Sequence, residues 1–287
     1  MHGIYRHALQ LESYMRLPFG TSFNRYLFGA LLFFTVWPAM AQPKYGPTCP
    51  PHPITLGVYD FGAFYHAGIG LDKDVADLLQ ARSGCKFETP LMLRAEIWQR
   101  LQNGSLDMTL SAAATPERTV FSWAIPYLWI KNEMIINKGV DPNIQSASDF
   151  IAAPNLRLGV VRGHYPGKAY NDFVGQLRNI ARVEETNEEE RLFAMFKADR
   201  FQAMLASPLI YPTYLDEGKY RIEDWMPNGP RDSSNLLISK KNFSQDEAKR
   251  WAELMNTIIN DGSLRSMLEK YVPSAEAAKM LTVDKGR

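Results

Sequence analysis

The sequence predicts an α/β protein made of two similar units, each a mostly parallel sheet flanked by helices. Three observations carry that expectation. Short β-branched runs alternate with segments of helical spacing. The alternation occurs twice along the chain. Glycines follow the first two helical segments, where a helix would stop. With 287 residues and 46% apolar content, the chain can bury one large core or two modest ones.

The first unit begins at "ITLGVYD" (54–60), a short strand after a proline-rich arm. "GLDKDVADLLQARSG" places Leu71, Val75, Leu78 and Leu79 on one helical face and ends at Gly84. "FETPLML" reads as a second strand, "AEIWQRLQNG" as a helix closed by Gly104, and "LDMTLSA" as a third strand. The order strand–helix–strand–helix–strand implies a parallel sheet with right-handed crossovers. The second unit repeats it: "LRLGVVRG" as strand and turn, "GKAYNDFVGQL" as helix, "ARVEET" as strand, "NEEERLFAMFKAD" as helix, "FQAMLAS" as strand. The acid-rich start of that last helix suits the helix dipole. "NEMIINKG" (132–139) joins the units, and a last strand, "SNLLISKKN", precedes a helical C-terminal region capped by Ser244 and broken at Gly262.

The first 41 residues are expected to lie outside this fold. Arg25 precedes an apolar run from Tyr26 to Val36, followed by Pro38 and the small-x-small triplet Ala39-Met40-Ala41. That is the layout of a secretory signal peptide cleaved after Ala41. The run is too short to favour a spanning helix. An exported chain with two cysteines, Cys49 and Cys85, is expected to pair them, tying the N-terminal arm to the end of the first helix. The net charge of +1 argues against a nucleic-acid partner.

Ligands of open α/β sheets sit beyond the carboxyl ends of the strands. In the first unit those positions hold Asp60, Phe61 and Phe64, then Arg94, then Ala112 and Ala113 with Arg118 close behind. In the second they hold Arg162, Gly163, His164 and Tyr165, and finally Ser207. A guanidinium fork matches a carboxylate in direction as well as charge, which makes Arg118 the leading ligand contact. No metal-ligand spacing involves the histidines, no cofactor motif is present, and no G-x-S-x-G, P-loop, H-E-x-x-H or C-x-x-C occurs. Glu117 and His164 are the nearest candidates for proton transfer, at no defined acid–base spacing.

Four segments, in order, resemble the bacterial extracellular solute-binding proteins of family 3. They are "GLDKDVADLLQ", "IWQRLQNGSLDMTLSAAATPERTVFSWAIPY", "LGVVRGHY" and "DEAKRWAELMNTIINDGSLRSMLEKYV". The resemblance implies a two-lobed periplasmic-binding-protein fold of the class II type. Residues 42–131 and 240–287 would form one lobe and 132–239 the other, with hinge crossings near 131–136 and 235–239. It implies a monomeric, non-enzymatic binding protein that captures an amino acid or organic anion and passes it to an inner-membrane ABC permease. In the family, the arginine at the position of Arg118 binds the ligand's α-carboxylate, and aromatic residues near Phe61 and Phe64 stack on its side chain. Three positions depart from the pattern: Ala113 stands where a hydroxyl is usual, Ser207 where an acid binds the ammonium, and Arg94 where an aromatic is common. Together, Arg94, Arg118 and Arg162 favour an anionic, carboxylate-bearing ligand. The departures also keep a non-transport accessory or sensor role open, and a dehydratase-like enzyme as a lesser alternative.

Overall fold

The computed structural model describes residues 46–216 and 218–283. The expected signal peptide lies outside the described residues. Among those described, no helix is long and apolar enough to cross a membrane.

The first lobe opens with β1 (Ile54–Gly57), α1 (Leu71–Ser83), β2 (Phe87–Glu88), α2 (Arg94–Asn103), β3 (Met108–Ala113), α3 (Pro116–Phe121) and β4 (Ser122–Ile130). The chain then crosses to β5 (Glu133–Asn137), α4 (Ala147–Ala152), β6 (Leu158–Val161), α5 (Asn171–Asn179), β7 (Val183–Thr186), α6 (Glu189–Lys197), β8 (Ala203–Ala206), α7 (Tyr211–Tyr214) and β9 (Tyr220–Glu223). It returns with β10 (Asp232–Ser239), α8 (Gln245–Asn260), α9 (Ser263–Leu268) and α10 (Ser274–Met280). Gly84 and Gly104 cap α1 and α2 as expected, and the Ser244 hydroxyl accepts from Glu247 N–H at the start of α8.

Each lobe holds one five-stranded sheet, ordered β2-β1-β3-β10-β4 and β7-β6-β8-β5-β9. The two share one layout. Three parallel strands are followed by an antiparallel strand in fourth place, and that strand is in each case the first after a crossing. This corrects the expected second hinge. Residues 235–239 sit inside β10, hydrogen-bonded to β3 on one side and β4 on the other, so they belong with the first sheet. The return crossing lies instead between β9 and β10. Lys131, on the outward crossing, reaches it: its ammonium pairs with Asp224 at 2.5 Å and donates to Met226 O at 3.1 Å. The "FETPLML" strand shrinks to two residues of β2 plus a bridge between Val58 and Leu91.

Two apolar clusters hold the molecule. The larger contains Leu56, Leu79, Ile97, Met108, Trp251 and Met255 of the first lobe, and it continues into Val161, Phe193, Phe201, Leu209 and Ile210 of the second. The smaller, around Phe150, Phe173 and Leu177, covers the other face of the second sheet. The lobes are therefore closed on one another. Ala63 N–H donates to Leu209 O across the junction (2.7 Å), and Gly62 N–H donates to the Tyr214 hydroxyl (3.2 Å). The Cys49–Cys85 disulfide forms, with Cα atoms 5.1 Å apart.

Candidate functional site

Arg118 is set by its helix start. Thr115 accepts from Arg118 N–H, and Pro116 occupies the first helical position. This turns the Arg118 side chain back across β3. Nη1 donates to Ala113 O (3.1 Å), and Nη2 donates across the cleft to Gly163 O (2.8 Å). Its guanidinium lies 3.8 Å over the Trp98 ring. Trp98 Nε1–H also donates to Gly163 O (3.2 Å). Gly163 has φ +80, and a Cβ there would sit 3.0 Å from Trp98 Nε1, so the carbonyl is presented to both donors only by a glycine.

Arg94, the first residue of α2, turns inward and is only 5% exposed. Its guanidinium carbon lies 4.0 Å from the centres of both the Tyr59 and Phe61 rings. Its Nη2 has no hydrogen-bond partner. Arg94 and Arg118 are near enough to feel each other: burial first, then Arg94, lowers Arg118 to about 10. Burial and the same two arginines push His164 well below the ordinary imidazole range and keep it neutral. His164 meets Phe61 edge-on at 5.6 Å, and Phe61 stacks on the fully buried Phe64.

Beneath this wall lies a buried polar network. Ser111, at φ +50, donates its Oγ–H to Asp72 at 2.5 Å, its N–H donates to the Tyr127 hydroxyl at 2.9 Å, and its Oγ lies 3.0 Å from that hydroxyl. Burial raises Asp72 to about 7. Tyr59 O–H donates to Ser111 O at 2.8 Å.

Of the expected contacts, Phe61, Arg94, Ala113, Arg118, His164 and Tyr165 converge on one small cavity of about 40 Å³. Ala112 lies buried behind it, its carbonyl taken by Asn235 Nδ2 (2.9 Å). Arg162 does not join them. Its side chain is 60% exposed and faces Glu185, because the residue after β6 points outward while Gly163 turns in. Ser207 is fully buried and lines neither this cavity nor the larger groove described next. Asp60 is already engaged, by His66 at 2.8 Å and by the Tyr214 hydroxyl from the second lobe.

A groove of about 430 Å³ adjoins the site and shares Arg94 with it. Its key member, Glu189, carries no distinctive signal in the sequence. Glu189 is 2% exposed and neither carboxylate oxygen has a partner. Burial raises it to about 7, Arg94 opposing and Asp60 reinforcing the rise. It stands at the exit of β7, where the strand-exit rule points, but in the sequence it reads as an ordinary acid of a helix first turn. Trp98 and Tyr59 were missed for the same kind of reason, as apolar positions of a helix and a strand. Among the described residues no group of three or more His, Cys, Asp or Glu is placed to hold a metal ion.

The closed two-lobed architecture and the cleft-lining arginines define a class of solute-binding protein. The family description bacterial extracellular solute-binding proteins, family 3, matches residues 63–274, and the chain belongs to that family. A search of curated proteins found no match. Solved structures share the fold. An ancestral arginine-binding protein bound to arginine is 19% identical, covering 76% of this chain and 97% of its own, with a TM-score of 0.65. An ABC uptake transporter substrate-binding protein from Streptococcus pneumoniae with bound histidine is 18% identical over 76% and 92%, with a TM-score of 0.63. An ancestral amino acid-binding protein described as a precursor of cyclohexadienyl dehydratase is 20% identical over 76% and 95%, also at 0.63.

Proposed function

We propose that this protein captures a small carboxylate-bearing solute between its lobes, at Arg94 and Arg118, in the periplasm, and presents it to an inner-membrane ABC-type permease. Arg94 carries the reading. A guanidinium so deeply buried, with an unpartnered Nη2 and no carboxylate within ion-pair distance among the described residues, is compensated only through space by Glu189 and Asp72, which leaves room for a directly bound anion. Arg118 adds a second fixed cation on the same wall. Relatives bind arginine and histidine, both of which carry a carboxylate. Asp232 is the carboxylate that lines this cavity, and its Oδ2 already accepts from Lys168 N–H at 2.9 Å, which leaves the two guanidinium groups to set the preference for an anion. The cavity of about 40 Å³ accommodates little more than a water or two, so the ligand enters an opened form. The lobes then close on it about the crossings at Lys131 and between β9 and β10, and the ligand favours the closed form by its greater affinity for it.

The accessory or sensor reading is favoured by one observation. The closed cleft is already filled by the protein's own groups: Arg94 against the adjoining Tyr59 and Phe61 rings, and Arg118 on Gly163 O. A thermal-shift screen of residues 42–287 against carboxylates, amino acids and sugars separates the two. A carboxylate that stabilises the wild type but not Arg118→Ala supports capture. Stability unmoved by every compound supports the accessory role.

A further inference from the structure

The groove beside Arg94 has a chemistry opposite to that of the small cavity. Its charged lining is acidic apart from Arg94: Asp60, Glu96, Glu188, Glu189 and Glu190 all contribute. An acidic rim alone is no site, because exposed acids are ordinary solvated surface. Glu189 is different. It is 2% exposed, it lines the groove, and both of its oxygens lack any hydrogen-bond partner. Native interiors rarely leave such a group unmatched, and a buried carboxylate with no donor is costly. The opposite wall is apolar, formed by Leu91, Met92 and Leu93, of which Leu91 and Leu93 are large side chains left exposed. A volume of about 430 Å³ lies within the range of small-molecule pockets.

We infer that this groove is a second binding site, for a compact organic amine whose ammonium pairs with Glu189 and whose apolar body lies against Leu91 and Leu93. An ammonium supplies the donors that both Glu189 oxygens lack, and it joins a rim whose other acids attract it. Arg94 stands at the inner end, where it would repel the ammonium from the small cavity. The amine is thereby kept apart from the anion proposed above, and the inference does not depend on that reading.

The test is calorimetric titration at pH 8, with n-butylamine, phenethylamine and their carboxylate counterparts, butyrate and phenylacetate, as probes. The proteins are the wild type, Glu189→Gln, and Leu91→Ser as a second variant on the exposed wall. The expected result is that the amines bind the wild type, that Glu189→Gln weakens them at least tenfold, and that Leu91→Ser weakens phenethylamine more than butylamine. Leu91 is exposed, so its replacement leaves the fold intact even if Glu189→Gln were to disturb it. The inference is overturned if amines fail to bind the wild type, if they bind Glu189→Gln equally well, or if the carboxylates bind in their place with the same dependence on Leu91.

Discussion

Arg118 and Arg94 sit on one wall of the cleft but are held in different ways. Arg118 is satisfied by two carbonyls and a tryptophan ring, whereas Arg94 rests against two adjoining rings and has an idle Nη2. The sequence pointed to Arg118 through the small-residue turn after a strand and through the family resemblance, and the structure sets it on the wall of the small cavity. Arg162 was not correctly placed, since alternation of side chains at the end of β6 is visible only once the register is known. Glu189 was hidden because burial, not residue type, makes it unusual. Its burial also sets a pH dependence. The carboxyl ordinarily titrates near 4.5 and in the fold does so at about 7, with Arg94, Asp60, Tyr59 and Tyr214 as the charged or titratable groups around it. Between those values the native state holds a proton that the unfolded chain has released. The contribution of Glu189 to stability is thus full below the lower value and falls as pH rises toward the upper, by at most about 1.4 kcal/mol per pH unit. Denaturant unfolding at pH 4.5, 6 and 7.5 checks this: the stability of Glu189→Gln relative to wild type should rise across the series.

At the scale of elements, the sequence marked the helices and parallel strands well, since periodicity and terminal glycines are local signals. It missed what depends on pairing. β4 contains Pro126 and reads poorly as a strand, yet it lies at the sheet edge, where a missing N–H is tolerated. β5 looked like a linker because its role as the fourth strand of the second sheet is set by the crossing. β10 was expected as a strand, but residues 235–239 were also assigned to a hinge, because its place between β3 and β4 depends on pairing. The disulfide, by contrast, was legible from two cysteines and the expectation of export. It closes a loop of 36 residues between the N-terminal arm and the end of α1. Cross-linking a loop of that size should contribute about 3–4 kcal/mol in the chain-entropy account. Replacing both cysteines by serine should lower the denaturation midpoint accordingly and steepen the dependence on denaturant, because the released chain exposes more surface when unfolded.

At the scale of the whole molecule, closure rests on a close approach at the junction of the lobes. Gly62 has φ +59, and a Cβ on it would lie 2.5 Å from Ile210 Cα across the cleft. Neither the dihedral nor the contact admits a larger residue, and the obstacle is backbone that cannot swing aside. Gly62→Ala should therefore hold the lobes apart, with loss of the Ala63–Leu209 bond. Small-angle scattering should register a larger radius of gyration for the variant than for wild type, and equal radii would place the closure elsewhere. The apolar cluster that runs through both lobes stabilises the same closed form. A ligand must work against that closure on entry and restore it afterwards.

The measurement that tests capture most directly is the thermal-shift screen with carboxylates, run on wild type, Arg94→Gln and Arg118→Ala together. A ligand at a hundred times its dissociation constant adds roughly 2.7 kcal/mol to stability. The account predicts at least one carboxylate that raises the wild-type midpoint and loses most of that effect in both variants. A midpoint unmoved by every carboxylate, or a shift that survives both substitutions, would contradict it.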